Sequence, residues 1–489
     1  MQSLNDQERA RRDKLATLRS TGTEPYPARL SVDRIRIVDV HQNFAGLEAK
    51  GSDLGIAGRV RAIRLHGGSM FVDLDDGTAT IQCYLMRDQL GDIFEHLSTA
   101  LDLGDFLEIR GLAFTTKRGE QSIKANLANI ISKALRPLPE KWHGLADVEM
   151  RYRHRELDLI ANDEVKRTIM ARGKIIDALR NFLVNENFLE VETPILQPIP
   201  GGATARPFST HHNALNADLF LRVAPELFLK RLIIGGLERV FEIARCFRNE
   251  GIDHLHNPEF TQIELYAAYT DYEWMMELTE RMLREVTTAV HGHANFTYDG
   301  AVIALPERFP RVTFRQIIID HGGPDIEALR DDRELATTAK SLGVEVTTRD
   351  HRASLIDGIF KTIVRPKIIQ PVFVIDHPIE LSPLAKKKPG DPRYTERFQL
   401  LIAGSELCNA FSELNDPIDQ RERFAAQEKL RAAGDDEAQR VDEDFLEAME
   451  YGMPPTSGLG IGIDRLSMLL TDNHSIKEVI AFPTLKPKT

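Results

Sequence analysis

From Phe241 to Tyr266 the chain reads FEIARCFRNEGIDHLHNPEFTQIELY, two alternating stretches around a loop rich in His, Asn and Gly. Alternation with a period of two marks strands, and a polar loop between them makes an antiparallel pair. Such a pair carries one set of side chains to one face of a sheet. Here Glu242, Arg245, Arg248, Glu250, Glu264 and Tyr266 are candidates for that face. Charged groups that leave water must be paired or must bind something. A sheet built around this hairpin therefore needs a ligand, or counter-charges, on its polar side. Phe260 is expected on the strand opposite Arg248, and a ring beside a guanidinium can sandwich a nucleobase. Asn249, Gly251, His254, His256 and Asn257 suit a loop that faces phosphate. A salt-bridged surface hairpin is the competing reading.

The hairpin lies in a chain of 489 residues, long enough for two to four domains at roughly 100–200 residues each. Residues from Met1 to about Thr21 read as an exposed, charged helix with a thin apolar stripe of Leu4, Leu15 and Leu18. Between Ile56 and about Leu135, five short alternating segments are separated by HGG, DDGT, LGD and TKRGE. Five short strands with turn punctuation predict a small closed barrel, for which an OB-fold is the natural candidate. LRPLPEKWHG, with Pro137 and Pro139, reads as an extended linker. After Met150 the pattern is α+β: an amphipathic helix over Glu164–Asn187, strands on both sides of the hairpin, a helix over Glu273–His291, and an irregular helical insertion near 292–364. The expected divisions are 1–55, a barrel over 56–136, a linker over 137–155, and a large domain over 156–489.

Sixty-two basic against 74 acidic residues give a net charge of -12, which argues against coating nucleic acid by bulk charge but permits a local basic groove. Cys83, Cys246 and Cys408 form no CxxC pair, so a zinc knuckle or disulfide framework is not expected and a reducing compartment fits. No run of 18 apolar residues exists and the N-terminus lacks a secretory pattern, so a soluble cytoplasmic protein is expected.

Two more segments carry chemistry. GLGIGIDR, residues 458–465, has glycines that let a backbone approach a ligand closely, and its Asp464-Arg465 opens a helix. It is neither a Walker loop nor a dinucleotide fingerprint. GSELCNAFSELND, residues 404–416, supplies Glu406, Asn409, Glu413 and Asp416. Those groups suit a hard cation with phosphate or a cationic ligand, and a solvated loop is equally consistent with them.

Taken together these segments resemble a known family. FRNEG…HNPEFTQIELY is similar to motif 2 of the class II aminoacyl-tRNA synthetases, GLGIGIDR to motif 3, and FLEVETPILQPIPGGATARPF to motif 1. With the barrel in front, and with RYRHRELDLI, APELFLKRL, HPIELSPLAK and NAFSELND, the chain resembles the bacterial lysyl-tRNA synthetases over nearly its full length. The resemblance implies an antiparallel catalytic sheet flanked by helices and a homodimer built through motif 1. It also implies two-step chemistry: L-lysine and ATP give lysyl-adenylate, and the lysyl group then passes to the 3' end of tRNA(Lys). Glu226 would bind the α-amino group, Arg248 and Asn409 the carboxylate, and Glu413 with Tyr266 the ε-ammonium. Gly202, Glu264 and Phe411 would line that pocket. Arg248 and Arg465 would be the catalytic cations. Glu250 and Phe260 would read and stack on adenine, while His256, Asn257, Glu406 and Arg465 would complete the ATP site. Electrostatics separates this reading from an aspartyl enzyme, because three glutamates would repel an aspartate side chain.

In that family a glutamate in an RFE segment holds magnesium together with the residue matching Glu406. This chain has Gln399 there, so weaker magnesium binding at that site is expected. On the barrel, Phe71 and Gln82 are similar to the pair that stacks on and hydrogen-bonds the central anticodon uridine. Arg59, Arg61, Arg64, Lys117 and Arg118 are candidates for phosphate contact, giving a basic RNA-facing side. The alternatives are an enzyme that lysylates a non-tRNA acceptor and a non-catalytic RNA-binding paralogue.

Overall fold

A computed structural model describes residues 5–138, 147–347, 350–433 and 438–487. Leu4 and linker residues 139–146 lie outside the described residues. The chain forms two compact units, residues 1–145 and 146–489.

In the first unit, strands β1 (Leu54–His66), β2 (Ser69–Asp75), β3 (Thr80–Met86), β4 (Phe106–Thr115) and β5 (Gln121–Ser132) close a barrel in the order β1-β2-β3-β5-β4. The alternation in the sequence is the alternation of burial. Met70, Val72 and Leu74 of β2 point inward, as do Ile81, Cys83 and Leu85 of β3. The five-stranded barrel is an OB-fold. The N-terminal helix α1 (Asp6–Ser20) is not the solvated helix its composition suggests. Leu18 joins the barrel core. Arg11 is also buried, and its guanidinium donates to the carbonyls of Leu103 and Ala134, both at 3.1 Å. Lys14 pairs with Asp102 at 2.7 Å. A charged helix can thus be anchored by polar contacts where its apolar stripe is thin.

The second unit is built on a mixed sheet, nine-stranded among the described residues. Its central strands are β6 (Arg239–Phe247), β7 (Glu259–Ala268), β8 (Val372–Pro378), β9 (Asp391–Ile402), β10 (Ser405–Ser412) and β11 (Thr456–Gly462). They run antiparallel in the order β8-β9-β10-β11-β7-β6. Short strands Arg311–Thr313 and Leu189–Glu190 add parallel edges. The stretch given above to an irregular insertion contains a hairpin, Asn295–Tyr298 with Ala301–Ala304, and the helices Phe314–Asp320, Asp332–Ser341 and Arg352–Ile363.

Register decides what each face carries. Phe241, Leu265, Leu459, Ala410 and Phe398 form one row across five strands. They pack with Leu179, Phe182 and Leu183 of helix α2 (Asp163–Asn185) and with Met275, Leu278 and Met282 of helix α4 (Tyr272–His291). The alternate row on the other face is Glu242, Glu264, Gly460, Asn409 and Gln399. The row beside it is Val240, Tyr266, Gly458, Phe411 and Arg397. The glycines of β11 thus lie between polar walls on β7 and β10, where the missing side chains leave a trough.

The glycines do not all serve a ligand. A Cβ at Gly458 would overlap the Tyr266 ring and Glu413 Oε1, so the protein itself fills that space. A Cβ at Gly460 would meet only Glu264 Cγ at 3.6 Å, an ordinary contact. Gly458→Ala should therefore lower stability by about 1–3 kcal/mol through overpacking, whereas Gly460→Ala should cost little and block the trough instead. Urea denaturation of the two variants checks this, and equal losses would contradict it.

Candidate active site

The trough is the floor of a cleft of about 1270 Å³ within the second unit. One end is acidic. Helix α3 (Glu226–Ile234) starts just after Pro225, and its four-residue spacing stacks Glu226 and Lys230 on one face. Lys230 is fully buried, with Nζ 2.5 Å from Glu226 Oε1 and also paired with Glu413 Oε2. Its ammonium lies 5.4 Å from the centre of the Phe411 ring. Beside them Gln262 Nε2 and the Tyr266 hydroxyl donate to the two oxygens of Glu264, at 2.6 and 3.0 Å. Gly202, with φ +86, sits where a Cβ would come within 2.9 Å of Glu226 Cβ.

Burial sets the protonation of this cluster. It raises the Glu226 and Glu413 carboxyls above their ordinary range, with Lys230 pulling both back down. Glu264 is pushed up to about 8 by burial and then by the charge of Glu226. Burial alone would lower Lys230, but the two carboxylates outweigh it and its pKa ends above the usual value. With one internal ammonium the pocket does not hold all three carboxyls ionised, and an added cation would draw them toward their charged forms. The pocket is suited to a second ammonium.

The other end of the cleft is cationic. The Arg248 guanidinium lies over the Phe260 ring, 5.0 Å from its centre, and its buried Nε has no partner. Glu250 is exposed at the rim of the cleft. Arg465 donates to the Glu406 carbonyl at 3.1 Å and reaches His256 Nε2 at 3.2 Å. Because that nitrogen accepts, the ring proton sits on Nδ1, toward Asp253 at 2.9 Å. Asp464 pairs with Arg172 of α2 at 2.6 Å and accepts from the Thr261 backbone at 2.7 Å, which fixes the start of helix α5 (Ile463–Leu470) and so the base of Arg465. Asn257 donates to the Glu259 carbonyl at 2.6 Å and accepts from Thr484 at 3.2 Å, so its amide ties down the loop. Asn409 accepts from Arg397 Nε at 2.8 Å, which turns its NH2 end away from that arginine.

Glu406 and Gln399 do not make a donor set for a divalent cation. Glu406 Oε2 is 2.6 Å from Arg365 Nη2, and Gln399 is neutral and buried. Among the described residues, no group of three or more His, Cys, Asp or Glu is placed to hold a metal ion.

The comparisons with known proteins agree with this geometry. The family described as tRNA synthetases class II (D, K and N) matches residues 147–486, and an OB-fold nucleic acid binding domain matches residues 55–131. The lysine–tRNA ligase of Moorella thermoacetica is 50% identical over 488 residues, covering 100% of this chain and 99% of that protein. That of Pelotomaculum thermopropionicum is 50% identical over 491 residues, covering 100% and 96%. That of Syntrophomonas wolfei is 49% identical over 487 residues, covering 100% and 98%. The chain belongs to the class II lysyl-tRNA synthetase family.

Within this synthetase fold, two residues expected on the polar face do other work. Arg245 points to the opposite face, where it meets Glu259 at 3.4 Å. Glu242 is on the polar face but is neutralised by Arg222 at 2.5 Å. On the barrel, Phe71 stacks on Tyr84 with centroids 4.7 Å apart. Gln82 donates to Glu120 at 3.0 Å and accepts from Ser122 at 3.1 Å. Arg59, expected at phosphate, folds over the Phe106 ring at 4.3 Å and donates to the Gly104 carbonyl. Arg64 is forked onto Asp73, and Arg61 lies 3.7 Å from Asp75, so much of the expected basic side is compensated. Lys117 and Arg118 are exposed.

Lys230 escaped the sequence reading, because a Glu and a Lys four apart on a helix usually form a surface pair. Its worth is testable. Lys230→Met should strand Glu226 and Glu413 without their counter-charge and destabilise the catalytic unit by about 3–5 kcal/mol. Saturating lysine should restore part of that loss, since a bound ammonium supplies the missing charge. Thermal melting with and without lysine reads both effects; a variant as stable as the parent would contradict this assignment.

Proposed function

We propose that this chain is a lysine–tRNA ligase: it activates L-lysine with ATP to lysyl-adenylate and transfers the lysyl group to tRNA(Lys). One observation carries the reading: three buried carboxyls, Glu226, Glu264 and Glu413, meet at one end of a glycine-floored class II cleft whose other end is cationic. Such a cleft matches a substrate with an ammonium at its tail and a triphosphate at its head.

The family resemblance and each residue's place in the cleft support the following parts. Glu413 and Tyr266 receive the ε-ammonium, Glu226 the α-amino group, and Glu264 lines the pocket between them. Phe411 and Gly202 shape its walls. Arg248 and Asn409 hold the lysine carboxylate, with Arg248 placed to span it and the α-phosphate. The carboxylate is already a nucleophile, so its in-line attack on the α-phosphorus needs no protein base. Positioning and charge stabilisation supply the acceleration. Pyrophosphate leaves toward His256 and Arg465. Phe260, with Arg248 at its ring, stacks adenine, and Glu250 reads the adenine edge. The terminal ribose hydroxyl of the tRNA then attacks the activated carbonyl and AMP departs. Magnesium enters with ATP as part of that substrate, as is general in this family.

The barrel supports tRNA as the acceptor over another protein. Phe71 and Gln82 sit on adjacent strands, as an anticodon reader requires. Val184, Leu189, Ile195 and Leu196, in and beside the motif 1 segment, are large exposed apolar residues. Their exposure supports a homodimer that covers them. No helix among the described residues is long and apolar enough to cross a membrane. We place the enzyme in the cytoplasm, where its substrates are.

Lysine-dependent ATP–pyrophosphate exchange tests the activation step, and its absence would leave only the non-catalytic reading. Phe71→Ala should keep exchange while lowering tRNA charging roughly tenfold or more, the scale of one lost base stack. Equal loss of both steps would remove the anticodon role.

A further inference from the structure

A protein-held divalent cation needs oxygen donors with net negative charge. At the phosphate end of the cleft the charges run the other way. Glu406 is a carboxylate there, Gln399 beside it is neutral, and nearby Asp357 is paired with Lys361. Arg365 Nη2 is 2.6 Å from Glu406 Oε2. Arg465 holds the Glu406 carbonyl at 3.1 Å, and partly buried Arg397 adds a third cation whose field reaches Glu406. Glu406 is outnumbered by the three guanidiniums around it, which suits that corner of the cleft to an anion.

Arg365 is also built into the cleft. It opens a 3-10 turn, Arg365–Lys367, just after helix Arg352–Ile363. Its guanidinium lies 5.6 Å from the centre of the Phe360 ring, and its buried Nε has no partner. The fork is thus held by a ring and a carboxylate with donor capacity to spare.

We propose that Arg365 is a phosphate-binding residue that takes, in this chain, the place of a protein-held magnesium ion. Arg365 and Arg465 neutralise the outer phosphates of ATP, and magnesium arrives only on the nucleotide. Gln399 fits the same design, because a second carboxylate there would attract a metal ion and compete for Arg365. The proposal rests on reading the cleft as the ATP site.

The test counts metal ions in the full-length enzyme. Manganese is titrated in the presence of L-lysine and α,β-methylene-ATP, and bound ion is followed by electron paramagnetic resonance. One manganese per active site, the one the nucleotide carries, is expected. Two or more would overturn the proposal, and this arm needs no variant. In the double variant Arg365→Glu with Gln399→Glu, at least one additional ion should bind; an unchanged count would count against the proposal. Arg365→Met should raise the KM for ATP roughly tenfold or more while the KM for lysine moves less than about twofold, and Arg365→Lys should recover much of the loss. An unchanged KM for ATP in Arg365→Met would overturn the role. Absence of lysine-dependent exchange in the parent enzyme would instead overturn the reading of the cleft.

Discussion

The catalytic unit depends on how it accommodates buried carboxyls. Glu226, Glu264 and Glu413 are all nearly inaccessible to water, where an unpaired carboxylate is costly. The fold meets part of that cost with one internal cation, Lys230, placed one helical turn from Glu226 and in contact with Glu413. It leaves the rest unmet. Under the proposed function a lysine side chain would supply the missing charge, so selectivity for a cationic amino acid and the instability of the unliganded cluster would have one origin. An aspartate side chain would bring another negative charge to carboxyls that burial has already pushed toward protonation.

The second constraint is the row of glycines. A sheet that presents polar walls from β7 and β10 must have a strand between them without side chains, or the walls would be filled by the protein itself. Gly460 and Gly462 leave that opening, while Gly458 lets Tyr266 and Glu413 close against the backbone. At the far end the charge balance reverses and arginines gather round Glu406. A molecule with an ammonium at one end and phosphates at the other would match both.

Much of this was legible in the sequence for a physical reason. Period-two alternation with punctuated turns marks strands wherever one face is buried, so the barrel and the Phe241–Tyr266 hairpin could be read directly. The motif 2 and motif 3 segments fall on adjacent strands because both line one site. Parity alone excludes Arg245 from the face that carries Glu242 and Arg248, since an odd step along a strand changes sides. Other features were not local. Lys230 looks like a surface helix pair until Glu413, nearly two hundred positions on, closes over it. Arg365 sits in a stretch with weak periodicity, and its meaning depends on Glu406 from a strand some forty residues on. Arg11 shows the same limit in the barrel, where its partners are backbone carbonyls that no side-chain pattern reveals.

The pocket is proposed to hold a substrate ammonium in addition to its own. A crystal structure with a non-hydrolysable lysyl-adenylate analogue addresses it most directly. The ε-ammonium is expected within about 3 Å of Glu413 and of the Tyr266 hydroxyl, with Lys230 still between Glu226 and Glu413. An ε-ammonium that touches none of the three carboxyls, or a Lys230 expelled from the pocket to make room, would contradict it.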